Sequence, residues 1–154
     1  MNNLNELEER IKRIEEEIHH IKRLDEITYS VEAKLNKAVG LLMRVVEKNE
    51  QIDKNDLDYL LLKYKVDALK YYEIPLLITK IATKHKRTGE YPTFYEIHQS
   101  IIEALSLTEK DKQDFSIEVT ESLLKRYMDL DIEGEGLSLV CEKILSTKWL
   151  VYCT

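Results

Sequence analysis

Glycine and proline are scarce in this chain, with four and two among 154 residues. An all-β fold spends those residue types at its turns, so strands joined by tight turns are excluded as the main architecture. Cysteine is as rare: Cys141 and Cys153 both lie near the C-terminus. Two thiols supply neither a disulfide scaffold nor a four-ligand zinc site. No apolar run reaches membrane-spanning length, and the early charges do not read as a signal peptide. Excess positive charge is missing too. A formal charge of −6 argues against a general nucleic-acid binder, which carries a basic surface. These absences predict a reduced, cytoplasmic protein with no cofactor, no metal and no membrane contact.

What the chain does have is helix-forming sequence with a repeating apolar pattern. Leu4, Leu7, Ile11, Ile14, Ile18 and Ile21 recur at alternating steps of three and four, the heptad seam of a coiled coil. The pattern then slips by one residue and continues through Leu24, Ile27, Val31, Leu35, Ala38, Leu42 and Val45. No proline interrupts it. At 1.5 Å per residue the helix is roughly 60 Å long, more than the core of so small a domain requires. The expected fold is therefore all-α: a long N-terminal helix over residues 1–48, then a small multihelical bundle over 49–154.

Charges flanking the seam bear on how two copies would meet. Glu8, Glu15 and Lys22 lie on one flank, Arg10 and Glu17 on the other. A parallel homodimer opposes Arg10 to Glu15 and Glu17 to Lys22, both attractive; an antiparallel pair brings Glu15 near Glu15. Isoleucine at both seam positions also permits a trimer. Asp25 and Thr28 end the strict seam, and the wider apolar face of 27–46, with Leu41, Met43 and Val46, is expected to pack on the bundle. His19 and His20 project about 100° apart and make a poor metal pair.

Beyond the polar stretch 49–55, Asp53 or Asn55 is placed to cap a short helix through Leu57, Leu60, Leu61 and Tyr64. Asp67 can cap a third helix running to about Arg87; Pro75 either kinks it or sits in its first turn. Its end holds the only dense basic cluster, Lys80, Lys84, His85, Lys86 and Arg87, stopped by Gly89. Thr93-Phe94-Tyr95-Glu96 is a capping box opening a fourth helix with Ile97, Ile101 and Leu105 buried and His98 at the rim. After a charged stretch with one expected turn following Thr108, Ser116 is placed to cap a helix with Leu123, Leu124, Lys125 and Arg126. A last helix spans about Leu137 to Leu145, and the tail Trp149 to Tyr152 is expected as a strand, an extended segment or an exposed contact surface.

Two strings match calcium loops only in part. Asp53, Asn55 and Leu57 lack the central glycine, and Asp129, Asp131, Glu133 and Gly134 meet Val140 where the bidentate glutamate belongs.

The order of these signals resembles the YhaI-like family of small helical Bacillus proteins. The matching features are the heptads Leu4 to Ile21, the segment Tyr59-Leu60-Leu61-Leu62, and the turn made by Gly89, Tyr91, Thr93 and Phe94. The helical segments Ile117 to Met128 and Leu137 to Leu145 follow in the same order. The chain departs from the family in its longer first helix, in Pro75 and in a charged insert after Ser106. The resemblance implies a multihelical body dimerised through a coiled coil, and implies no activity.

Three functions follow in order. The first is a non-enzymatic, self-associating protein that binds and regulates or inhibits a protein partner, of housekeeping, phage or mobile-element origin. Its support is the seam and the many tyrosines, among them Tyr59, Tyr71, Tyr72, Tyr91 and Tyr95. The second is a helix-turn-helix-like DNA-binding regulator, with Lys125 and Arg126 toward bases and Lys80, Lys84, Lys86 and Arg87 toward phosphate. The third is an enzyme using His85 or His98 with Glu96 or Glu103, for which no spacing offers specific support.

Overall fold

The computed structural model describes residues 2–49, 51–130 and 136–153. Among these residues every regular element is helical. Helix α1 runs unbroken from Asn2–Glu47. It stops where Asn49 turns left-handed at φ 52°, a conformation asparagine tolerates better than most residues.

Helix α2 (Leu57–Lys63) is capped by Asp56, whose carboxylate accepts from the Tyr59 amide. The sequence offered Asp53 and Asn55 for that role. Asp53 instead accepts from the amide of Asn55 at 3.0 Å, a local turn that leaves the cap to the next carboxylate. A 3-10 turn, Ala68–Tyr72, then starts at Asp67 and hands over to α3 (Glu73–Thr88). The break resolves the proline question: Pro75 is the third residue of α3, where an amide has no intrahelical partner to lose. Gly89 ends α3 at φ 74°.

Helix α4 (Phe94–Ala104) carries the complete capping box: the Glu96 carboxylate accepts from the Thr93 amide at 2.7 Å, and the Glu96 amide donates to the Thr93 hydroxyl. Short α5 (Glu109–Asp114), α6 (Ile117–Asp129) and α7 (Leu137–Ser146) follow. Ser116 takes the N-cap place of α6 without making the capping bond. Its hydroxyl donates to Asn55 Oδ1 at 3.1 Å, tying α6 to the segment before α2. The tail is neither a strand nor extended; Thr147–Cys153 is a 3-10 helix. The calcium-like string after Asp129 falls on residues 131–135, outside the described residues.

Helix α4 is the centre of the bundle. Phe94, Ile97 and Ile101 are fully enclosed, and they pack with Ile74 and Ile78 of α3, Val119 and Leu124 of α6, and Val140 and Ile144 of α7. Thr147 closes the structure from behind: its hydroxyl accepts from the Phe94 amide at 2.7 Å. His98, expected at the rim, is 6% exposed. Three helices surround α4, so the residue beside its apolar stripe is covered as well. The imidazole Nδ1 lies 2.8 Å from the hydroxyl of buried Thr120, and the ring packs on Phe115. No residue of α1 belongs to this contiguous core. The long helix leans on the body formed by the bundle through α2 and the 3-10 turn.

Candidate interaction surface

Helix α1 has two faces with different surroundings. Facing the body are Tyr29, Ala33, Lys37, Leu41 and Arg44, spaced at three or four residues so that they fall on one side. Of these only Leu41 is buried. The attachment is largely polar. Lys37 pairs with Asp58 and lies 4.9 Å above the Tyr71 ring, Arg44 Nη1 bonds Asp56 Oδ2 at 2.7 Å, and Tyr29 stacks on Tyr72. Burial pushes the Asp56 carboxyl up, but Arg44 and the Tyr59 and Asp58 amides outweigh it and hold the group below its ordinary range. One carboxylate thus caps α2 and anchors α1.

The other face is apolar and uncovered by the body. All six expected seam residues, Leu4, Leu7, Ile11, Ile14, Ile18 and Ile21, remain exposed, from 47% at Ile18 to 65% at Leu4. Every residue from Asn3 to Thr28 is exposed, a free arm of about 40 Å at 1.5 Å per residue.

Beyond Thr28 the structure departs from the sequence expectation. The broad apolar face of 27–46 does not pack on the body as a whole: Ile27, Val31, Leu35, Leu42 and Val45 stay exposed. The body takes the strip carrying Lys37 and Arg44 instead. Leu35 and Lys37, like Leu42 and Arg44, are two residues apart and so project about 160° apart. The alternation of three and four was readable in the sequence. What concealed the split was the charge of the docking residues, whose aliphatic stems cover surface while their heads find carboxylates.

The expected basic contacts are not gathered in one place. Lys84 pairs with Glu90 at 2.8 Å, and Lys125 with Glu121 at 2.7 Å, where Lys148 joins the same carboxylate. Hydrogen bonds from Lys125 and Lys148 lower the Glu121 carboxyl. Lys86 extends along the start of α7, where a Cβ at Gly136 would lie 3.2 Å from its chain. Lys80 and Arg87 are exposed on α3. Arg126 lies 3.8 Å from Asp58 and shares a cavity of about 190 Å³ with Lys37, Tyr71 and Pro75. Pro75 opens α3 and Arg87 closes it, about 18 Å along the helix, so Arg126 and the cluster sit at opposite ends.

The catalytic candidates have other engagements. His98 is held by Thr120, and burial lowers its basicity. His85 Nε2 sits 3.0 Å from Lys143 Nζ, and Glu96 is closed into its capping box. Among the described residues no group of three or more His, Cys, Asp or Glu converges as a metal site, and no helix is long and apolar enough to cross a membrane. No protein-family model, curated protein or solved structure matches the chain.

Proposed function

We propose that this chain is a non-enzymatic, self-associating cytoplasmic protein whose copies pair through Leu4, Leu7, Ile11, Ile14, Ile18 and Ile21 and whose bodies bind and regulate or inhibit a protein partner. The observation that carries the reading is the free arm, an unbroken helix with an apolar seam that its own body never reaches. An isolated helix has little tertiary reason to persist, and a heptad seam supplies that reason in a second helix. Exposed Trp149 and Leu150, with Leu139 on α7, give the body apolar surface for a partner.

The DNA-binding alternative has less support. Lys84 and Lys125 are already paired with carboxylates, and Arg126 lies at the opposite end of α3 from Arg87.

Sedimentation equilibrium tests the association, with a mass of twice the 18.2 kDa chain expected. A single-chain mass at every concentration would overturn it. A tagged pull-down with and without nuclease tests the partner. A stoichiometric nuclease-resistant protein supports the reading, and recovery of nucleic acid moves the weight to the regulator.

A further inference from the structure

We propose that the partner of α1 is a second copy lying parallel to it along the whole helix, so that the seam runs through to Val45 and the two bodies stand side by side at one end. The inference rests on the self-association reading and extends it.

The exposed apolar line is continuous. Leu24, Val31, Leu35, Leu42 and Val45 are all exposed, between 40% and 62%. With Ile21, Thr28 and Ala38 they restore the alternation of three and four after the slip. Ile18, Ile21 and Leu24 are two steps of three in succession, the equivalent of a three-residue insertion. Such an insertion overwinds a coiled coil locally without ending it. Thr28 and Ala38 are small enough to be tolerated between large neighbours.

That line is also open to a second helix. Lys37 and Arg44 attach the body on the side opposite Leu35 and Leu42, so another α1 can lie on the seam without displacing it.

The flanking residues fix direction. In parallel register each flank residue meets the one five positions later on its partner. Arg10 then meets Glu15 and Glu17 meets Lys22; further along, Ile27 meets Glu32 and Lys34 meets Val39, while Leu41 is already buried against its own body. Val39 is exposed in the single chain. Parallel pairing brings it beside the aliphatic stem of Lys34. Antiparallel pairing over the same length sets Leu35 against Ile14 and Leu42 against Leu7. It gains Glu17 with Lys34 and Lys22 with Asp25. It also opposes Glu15 to Glu32, Glu8 to Val39 and Arg10 to Leu41, one like-charge and two mismatched pairs. Each form gains two attractive pairs and carries two mismatched ones, and only the antiparallel form adds a like-charge pair, so the parallel form is favoured.

The test compares the full chain with a Leu35→Asp/Leu42→Asp variant by sedimentation, with circular dichroism to confirm a folded body. The expected result is a dimer whose dissociation constant rises by ~100-fold or more in the variant. A monomeric wild type would refute the self-association reading itself. A dimeric wild type with an unchanged constant in the variant would refute only the extension beyond Ile21. A mass of three chains would overturn pairing with a single second copy.

Direction is read by oxidation in a Cys153→Ser background. Leu42→Cys alone should crosslink into a dimer. If it does not, while Leu7→Cys and Leu42→Cys chains crosslink to one another, the helices are antiparallel and the parallel assignment fails.

Discussion

Replacing Ile14 and Ile18 by aspartate removes two seam residues that touch nothing in their own body. They keep 53% and 47% of their surface in water. Fully burying an isoleucine is worth roughly 1.5–3 kcal/mol, so covering the remaining half contributes about 1 kcal/mol. Two residues on each of two chains contribute about 4 kcal/mol to association. Aspartate forfeits that and sets carboxylates opposite one another in a dry seam, a further cost of about 2 kcal/mol or more. At 1.4 kcal/mol per tenfold, the dissociation constant rises by roughly four powers of ten.

The assay is sedimentation velocity across a dilution series, paired with circular dichroism. The variant should sediment as one chain at concentrations where the wild type is a dimer. Its helical signal should fall, because the arm from Asn3 to Thr28 has no tertiary contact and lone helices are marginal in water. The thermal midpoint of the body should hardly move. A dissociation constant equal to the wild type's would refute the assigned seam. A fully helical monomer would refute the argument that pairing holds the arm together.

Three further outcomes follow from the body. Thr93→Ala removes half of the capping box on the central helix and should cost about 1 kcal/mol, lowering the melting temperature by a few degrees; an unchanged midpoint would show that the packing of Phe94 alone fixes this end. His98 is held below its ordinary pKa by burial, so the unfolded chain takes up its proton first as pH falls. Its contribution is full above about pH 6.5 and is lost as pH drops through the lower folded value, and His98→Gln should flatten denaturant-derived stability between about pH 7 and 5. Equal slopes in the two proteins would sink that assignment. Asp56→Asn keeps an N-cap but removes the charge that holds Arg44, and should cost about 1 kcal/mol after allowance for partial exposure. The lowered Asp56 carboxyl stabilises above its unfolded pKa of 3.8, and that part is lost on acidification through the folded value. The variant should therefore show a shallower acid transition by circular dichroism, and an identical transition would contradict the anchor.

Local chemistry was largely legible in the sequence. The length of α1, the Thr93–Glu96 box and the stop at Gly89 depend on neighbouring residues, and the structure shows all three. Features that depend on distant parts of the chain were harder to read. His98 looked like a rim residue because one apolar stripe was counted, whereas α4 is surrounded by α3, α6 and α7. The docking strip of α1 was missed because hydropathy assigns burial to leucine and valine, while Lys37 and Arg44 make the contact through Asp58 and Asp56. The cap of α2 lay in a run of polar residues, each able to serve. The turn at Asp53 decided among them.

The free arm also has a kinetic consequence. The body brings its own core together, so it can fold in a first-order process within one chain. The arm from Asn3 to Thr28 contacts nothing else in that chain, and under the proposed pairing its ordering awaits an encounter between two molecules. Refolding should then show two phases of different molecularity. The body phase keeps one rate at any dilution, while the arm phase slows in proportion as the protein is diluted.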